Sequence, residues 1–236
     1  MLHTETVTPE CMDVVKQLMQ IPELANFRLV GGTALGLLLG HRISEDIDLF
    51  TEHEFDRKKI ERALINQFGI SHATNFSSTS LGFKCLIHGI KLDVVQWNIP
   101  FIHPPVVEEG IRMAHIEDIF AMKLEAVSDR ATKKDYYDLA ELFQNYSMKQ
   151  ALIFYKKRFP FNDAQTVLRL LCNFDQADPS PDPNTLRTWN WQQVKGIIQK
   201  TFDDYKSDLK KKKQIEIENR ISRAEKLLEE KKKKKR

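Results

Sequence analysis

Apolar and polar residues repeat in two ways along this chain of 236 residues, and the change between them divides it into two parts. Before about residue 112, runs with a period of two alternate with runs that repeat every three to four residues, which is typical of strands mixed with helices. From residue 116 onward the pattern is largely helical. The sequence therefore predicts an α+β fold, a small mixed β-sheet core with flanking helices followed by a helical bundle.

The expected elements follow from the apolar runs and from the residues that interrupt them. A first helix begins at Thr8-Pro9-Glu10 and is stopped by Pro22, and Gly40 ends a buried helix over 33–39. His88-Gly89-Ile90 joins the last two predicted strands as a hairpin. Strands are predicted at 27–30, 46–50, 81–87 and 91–97, and further helices at 55–68, 116–128, 133–145, 148–158, 163–173 and 189–206. Pro100, Pro104 and Pro105 mark a break, and the proline-rich residues 178–183 are predicted to be a loop or linker.

Charge separates a third segment from the other two. Residues 210–236 contain 13 Lys and Arg against 5 Asp and Glu, a net charge of +8, whereas the preceding 209 residues carry −5. Ile217, Ile221, Ala224 and Leu228 recur at helical spacing within this segment, with lysines at both ends. We expect an α/β core over 1–112, a helical domain over 113–209 and a basic helical tail over 210–236. The tail either grips an RNA backbone or is a solvated helix end.

Several classes of protein are disfavoured by composition. No apolar stretch approaches 18 residues, so no membrane-spanning helix is expected, and the N-terminus lacks the pattern of a secretory signal. Cys11, Cys85 and Cys172 are far apart and form no CxxC pair, which argues against a zinc ribbon or a disulfide framework. The sequence therefore predicts a cytoplasmic protein without a membrane partner.

Carboxylates at alternating positions suggest a metal site. Asp46 and Asp48 flank Ile47 on a predicted strand, so both side chains point to the same face. Two carboxylates at such a short distance repel each other unless a cation lies between them, and carboxylate oxygens suit Mg²⁺. Asp93 alternates in the same way on a later strand. If the two strands are neighbours, the three acids could hold two metal ions for in-line phosphoryl displacement.

The segment Gly31-Gly32-Thr33 lies between a predicted strand and a predicted helix. Two glycines permit positive φ and close approach of a ligand to the backbone, and the helix that follows offers free N–H groups to a phosphate. Thr33 could cap this helix or donate to a phosphate oxygen. We therefore expect this segment to bind the triphosphate of a nucleotide beside the acidic residues.

The residues around these motifs, and two later stretches, resemble a known family. Residues 29–35 and 40–50 are similar to the nucleotidyltransferase signature of the AbiEii toxins, the enzyme partners in abortive-infection toxin–antitoxin pairs, and the resemblance continues at 116–124 and ends in Arg130 with 133–139. These belong to the DNA polymerase β-like nucleotidyltransferase superfamily. The resemblance implies a nucleotidyltransferase core and a two-metal site (Mg²⁺ or Mn²⁺) on Asp46, Asp48 and Asp93. It also implies a nucleotide pocket lined by Lys123, Lys134, Asp135 and Asp138.

The remaining charged residues allow more than one interpretation. Arg42 or Arg130 could bind phosphate oxygens through their guanidinium groups, and Lys123 could place a charge on the triphosphate. Asp135 and Asp138 lie on one helix face, so they could instead form a structural pair with Arg130 or Lys134. Arg42, with Gly31, Gly32 and Thr33, is counted here among the nucleotide-binding candidates.

The function expected from these residues is transfer of an NMP from an NTP to an acceptor hydroxyl on RNA, such as tRNA, or on a protein. The resemblance implies that the enzyme is a toxin with an antitoxin protein as a possible partner. Two alternatives remain open: nucleotidylation of a small molecule such as an antibiotic, and a non-catalytic module of the same fold. The complete set of three acids disfavours the second alternative, and the basic tail mildly favours RNA.

Overall fold

The computed structural model describes residues 1–233, and the strands in that part of the chain form one sheet. The strands are β1 (Arg28–Val30), β2 (Ile47–Thr51), β3 (Ala73–Thr79), β4 (Gly82–Ile87), β5 (Ile90–Gln96), β6 (Val106–Glu108) and β7 (Ile111–Met113). Their order across the sheet is β3-β4-β5-β2-β1-β7-β6. The β2–β5 and β1–β7 pairs are parallel and the other pairs are antiparallel. The sheet is therefore mixed, as predicted.

Eight α-helices flank and follow the sheet strands within the described residues. They are α1 (Pro9–Gln20), α2 (Gly31–Leu39), α3 (Arg57–Phe68), α4 (Ile116–Asp129), α5 (Lys133–Leu142), α6 (Met148–Arg158), α7 (Ala164–Leu170) and α8 (Trp191–Lys233). Helix α3 packs on β3 and β4, and α1 packs on β7. Helix α2 contacts β1 and β2 and also α4 and α5, so it joins the sheet to the helical part of the chain.

The first helix begins as the sequence predicts. The Thr8 side chain accepts a hydrogen bond from the Cys11 backbone N–H, and Pro9 occupies the first helical position, where no N–H is needed. The apolar positions of α1, including Val14, Val15 and Leu18, are buried in the core. This stripe of residues attaches α1 to the sheet.

Three strands were not predicted, and each has a physical reason. Strand β3 is an edge strand on which only Ala73 is buried, so its sequence shows no alternation of apolar and polar residues. Strands β6 and β7 have three residues each, which is too short for a period of two to be visible. The prolines before Val106 marked a real interruption, but the chain resumes the sheet directly after it.

The C-terminal helix corrects the prediction of a helix over 189–206 followed by a separate tail helix. Helix α8 is continuous over 43 residues, through the boundary at residue 209. Val194 and Ile198 are buried, whereas 206–223 are exposed, including Ile217 and Ile221. Of the residues predicted for the tail, 234–236 lie outside the described chain, as do the side chains of Ala224 and Leu228. The boundaries of the three domains stay predictions.

The proline-rich segment predicted as a linker is tied to the rest of the protein. We call residues 178–187 the strap. Within it, Asn184 accepts a hydrogen bond from the Ile43 N–H, and the Leu186 N–H donates to the carbonyl of His41. Arg187 forms an ion pair of 2.6 Å with Glu141 on α5. The strap therefore fixes the loop between α2 and β2 against the helical part of the protein.

Among the described helices, none is both long and apolar enough to cross a bilayer. All three cysteines are free thiols.

Candidate active site

The pairing of β2 with β5 brings the acidic residues together. These strands are parallel, and Asp48 lies opposite Asp93 in their register. Asp46 directly precedes β2, and the buried Ile47 separates it from Asp48, so the two carboxylates share one face of the strand. The structure thus supplies the neighbouring strands on which the predicted acidic cluster depends.

The electrostatics of these carboxylates are those of crowded like charges. Burial, and then the nearby charge of Asp93, raise the pKa of Asp48, while Lys123 and Lys91 act in the opposite direction. Asp93 accepts a hydrogen bond of 2.8 Å from Lys91 through Oδ2, but its buried Oδ1 has no hydrogen-bond partner among the described residues. Asp46 lies 3.6 Å from Lys134. Lysines therefore flank the acidic cluster on two sides.

The two glycines belong to the first turn of α2 rather than to a turn before it. Gly31 has a φ of +69°, and a Cβ atom at this position would overlap the carboxylate of Asp48. A Cβ atom on Gly32 would overlap the guanidinium of Arg42. The glycines therefore allow the start of α2 to lie directly against two of the protein's own charged groups, which the sequence did not reveal.

Thr33 has a structural contact in place of the predicted helix cap. Its buried hydroxyl hydrogen bonds to the backbone carbonyl of Asp46 and lies 2.9 Å from the Ser44 hydroxyl. Val30 precedes α2 and provides no side-chain cap, so the N–H groups of the first turn have no side-chain acceptor there. Thr33 thus fixes the position of Asp46, while the start of α2 keeps donors for an anion.

Four of the charged residues form a buried network beneath this site. Asp138 accepts hydrogen bonds from Arg42 Nε at 2.6 Å and His41 Nε2 at 2.7 Å, and Lys123 Nζ lies 2.6 Å from it. Lys123 also donates to Asp135 at 2.8 Å. Burial acts to raise the pKa of Asp138, but Arg42 and Lys123 hold it well below its usual range. The partners of Asp135 and Asp138 are thus Lys123 and Arg42, which corrects the suggested pairing with Arg130 or Lys134.

A cavity of about 590 Å³ opens above these residues, a volume within the range of small-ligand sites. Predicted site residues that line it are Gly31, Gly32, Asp46, Asp48, Lys123, Lys134 and Asp135. Thr33, Arg42, Asp93 and Asp138 are not among its lining residues. Arg42 and Asp138 therefore support the cavity from beneath, and Asp93 reaches the site through its position beside Asp48.

The cavity also has an aromatic wall that the sequence reasoning did not identify. Phe50 lies two residues after Asp48 on the same face of β2, and its ring centroid is 5.7 Å from that of Trp97. Tyr155 of α6 donates a hydrogen bond of 2.5 Å to Glu125 of α4. The period of two in β2 contained the signal for Phe50, whereas Trp97 and Tyr155 required the tertiary structure.

Comparisons of sequence identify relatives of this chain. The sequence profile of the family described as nucleotidyl transferase AbiEii toxin, type IV TA system, matches residues 13–211. An uncharacterized protein of Aquifex aeolicus (strain VF5) is 34% identical over 158 residues, which span 64% of this chain and 75% of that protein. The region that matches the family, residues 13–211, includes all of the candidate site residues.

Two bacterial proteins of known structure align with this chain. MenT4, the nucleotidyltransferase toxin Rv2826c from Mycobacterium tuberculosis H37Rv, gives a TM-score of 0.54 at 13% identity, with 81% of each chain covered. JHP933 from Helicobacter pylori gives a TM-score of 0.48 at 19% identity, with 88% of this chain and 97% of that chain covered. The likeness to MenT4 shows that the α+β core has the nucleotidyltransferase fold, as predicted.

Proposed function

The chain belongs to the AbiEii nucleotidyltransferase toxin family, and on that premise we propose that it transfers an NMP from an NTP to an acceptor hydroxyl on RNA, such as tRNA, or on a protein. The observation that carries this proposal is the pairing of Asp48 with Asp93 beside the cavity. In the proposed reaction the acceptor oxygen forms a bond to the α-phosphorus, and the bond from that phosphorus to pyrophosphate breaks.

The donor set fits a divalent cation. Asp46, Asp48 and Asp93 offer hard carboxylate oxygens. The Oδ1 of Asp93 is buried without a hydrogen-bond partner among the described residues, and burial, followed by the charge of Asp93, raises the pKa of Asp48. These three residues would hold Mg²⁺ or Mn²⁺. When bound, the ion supplies positive charge to the triphosphate and lowers the pKa of the acceptor hydroxyl.

The remaining residues have roles that suit a nucleotide. The first turn of α2 presents backbone N–H groups and the positive end of the helix dipole to the β- and γ-phosphates. Lys134 and Arg130 line the same cavity and add cationic charge there. Phe50 and Trp97 offer a surface on which the nucleobase stacks.

Removal of the hydroxyl proton requires a base close to the acceptor oxygen. Asp93 is our candidate because it lies opposite Asp48 in the register of the two strands and its Oδ1 has no hydrogen-bond partner within the described residues. Lys91, hydrogen bonded to the other oxygen, holds the Asp93 carboxylate in place. The proton would pass from the acceptor hydroxyl to Oδ1 as the new bond to phosphorus forms.

The biological role proposed is that of a toxin held in check by an antitoxin protein. The family description supports this role, and the basic helix α8 supports RNA as the acceptor because the lysines at 210–213 are exposed to solvent. Growth arrest on expression, relieved by an antitoxin from a neighbouring gene, is the expected behaviour in cells.

A second candidate function is nucleotidylation of a cationic small molecule such as an aminoglycoside antibiotic. The specific observation in its favour is that Glu125, Asp129 and Asp163 line the cavity, since such carboxylates attract an amine-bearing acceptor. This reaction would use the same acids and the same triphosphate contacts.

One experiment tests both functions. The purified protein is incubated with Mg²⁺ and each α-labelled NTP in turn, with total tRNA, cell protein or an aminoglycoside as acceptor. We expect label on tRNA or protein with wild type and none with Asp48→Asn. Label on the aminoglycoside alone would establish the second function, and absence of label with every NTP and acceptor would contradict both.

A further inference from the structure

A second cluster of metal-ligating side chains lies apart from the cavity. Within residues 1–233, His103, His115 and Glu117 form the group of His, Cys, Asp or Glu residues whose three ligand atoms all lie within 4.8 Å of one another. The cluster is at the N-terminal end of α4, whereas the cavity is lined by the rest of that helix, from Ile119 to Asp129. Ile119, two residues after Glu117, is the first residue of α4 that lines the cavity, but none of the three cluster residues lines it.

The contacts within the cluster are short. His103 Nε2 lies 2.7 Å from Glu117 Oε2, and the ring centroids of His103 and His115 are 4.3 Å apart. The Nδ1 atom of His115 accepts a hydrogen bond of 3.3 Å from the Glu117 N–H, which is long for such a bond. All three residues are partly exposed, so an ion could reach them from solvent.

The backbone that carries His103 is held by a buried acid. Asp118 accepts hydrogen bonds from the Ile102 N–H at 2.7 Å and the His103 N–H at 3.2 Å, and it lies 3.7 Å from the buried Arg158. Arg28 donates to the carbonyl of His103 at 2.6 Å. The loop after β5 is thus fixed against the start of α4, so the three side chains are positioned before any ion binds.

We propose that His103, His115 and Glu117 bind a transition-metal ion, with Zn²⁺ as the ion of choice. Two imidazole nitrogens and one carboxylate are a ligand set that zinc accepts, with water in the fourth position, whereas Mg²⁺ prefers oxygen ligands alone. The ion takes the place of the proton shared by His103 and Glu117. His115 gives up its long contact to the Glu117 N–H with either ring nitrogen as the ligand. If Nδ1 binds the ion, its lone pair is used, and if Nε2 binds the ion, Nδ1 carries the proton and accepts no hydrogen bond.

The surroundings set the strength expected of this site. The positive end of the α4 dipole and the nearby Arg28 oppose a cation, and the cluster has three protein ligands rather than four. We therefore expect reversible binding that clips the loop onto α4 and stabilises the fold, rather than a zinc centre on which folding depends. Binding should weaken as the pH falls, because protons compete for the imidazoles.

The test uses the full-length protein without a histidine tag, freed of metal and titrated with Zn²⁺ in excess Mg²⁺. The affinity is measured by calorimetry, and Co²⁺ absorption reports tetrahedral ligation. The paired substitution His103→Ala with His115→Ala should weaken Zn²⁺ binding at least tenfold and remove the Co²⁺ bands. The control is His72→Ala with His88→Ala, because the centroids of those two rings are similarly close, at 4.4 Å, but the residues belong to no such three-ligand group among the described residues.

Glu117→Gln provides a second variant that keeps the imidazole pair and the hydrogen-bonding shape. It should weaken Zn²⁺ binding and abolish the rise in Tm that Zn²⁺ gives to the wild type. Unchanged Zn²⁺ affinity in both cluster variants, or equal loss in the His72/His88 control, would overturn the proposal. Because none of these residues lines the cavity, the outcome does not depend on whether NMP transfer is detected.

Discussion

Asp48 and Asp93 occupy the same register position on two parallel strands, so their two negative charges repel each other. This arrangement disfavours ionisation of Asp48, whose pKa is raised by burial and by Asp93. Such a pair destabilises the protein in the absence of a cation and binds a cation well. The site therefore trades stability for function.

Asp48→Asn tests both the activity and the stability that depend on this carboxylate. We expect the rate of NMP transfer to fall by a factor of about 10² to 10³. A carboxyl whose pKa is raised on folding stabilises the protein below its unfolded pKa, and this contribution is lost as the pH rises through the folded pKa. Metal-free Asp48→Asn should therefore have a higher Tm than wild type at pH 7 and a smaller difference near pH 3. The exposed Asp13→Asn is the control, and a lower Tm for Asp48→Asn at pH 7 would contradict the interpretation.

Gly31→Ala should reduce stability and activity more than its backbone conformation alone requires. Gly69 also has a positive φ, of +85°, but a Cβ atom there meets nothing within 4 Å. Gly69→Ala should therefore cost about 1–3 kcal/mol, from the backbone alone. Gly31→Ala adds overlap with Asp48 and should cost more and abolish transfer. Urea unfolding and the transfer assay measure both effects, and equal losses in the two variants would rule out the close contact.

Gly32→Ala has its own control on α8. Gly196 is a helical glycine with open space around it, so Gly196→Ala should stabilise the protein by up to about 1 kcal/mol. Gly32→Ala gains the same helix propensity but displaces the guanidinium of Arg42. It should therefore lower the stability of the protein. Thermal unfolding decides between the two, and stabilisation by both substitutions would show that Arg42 moves without cost.

Asp138→Asn should be strongly destabilising because it leaves Arg42 and Lys123 buried without their shared counterion. Loss of one partner of a buried ion pair costs about 3–5 kcal/mol. Because the pKa of Asp138 is held well below its usual range, its stabilising contribution is present at neutral pH and is lost only as the pH falls through that low value. Urea unfolding at pH 7 should show the full loss, with the exposed Asp208→Asn as control. A change below 1 kcal/mol would refute the buried network.

Lys134→Ala should raise the KM for the NTP roughly tenfold, because one charged contact to phosphate is lost. The adjacent Lys133 is the matched control, since it pairs with Asp182 on the strap at 3.3 Å and not with Asp46. Lys133→Ala should leave the KM for NTP near the wild-type value. Steady-state kinetics at saturating acceptor make the comparison, and an equal rise in KM for both would assign the effect to general charge.

The parts of the fold that the sequence predicted are those with a local cause. Pro9 and Thr8 start α1, the αL glycine Gly40 ends α2, and the alternation around Ile47 identifies β2. These signals are contained in a few neighbouring residues. Strand β3 gave no such signal because its partner β4, rather than its own sequence, keeps it in the sheet.

The candidate site divides in the same way. The alternation of Asp46 and Asp48 is a local pattern, but the position of Asp93 depends on which strands pair, and the sequence could state that only as a condition. The role of Arg42 was expected at the triphosphate, whereas the structure buries it on Asp138, 96 residues away. A residue's partner across such a distance is a property of the folded chain.

The strap has a consequence for the order of events during synthesis. In the loop that leads to Asp46, the Ile43 N–H donates to the carbonyl of Asn184, and the carbonyl of His41 accepts from the Leu186 N–H. Asn184 and Leu186 are translated more than 140 residues after His41. Until that segment has left the ribosome, the acids, the glycines and α5 are all present, but the loop lacks the hydrogen bonds that the strap provides. A ribosome-bound nascent chain therefore acquires its finished active site only after the strap has emerged from the ribosome.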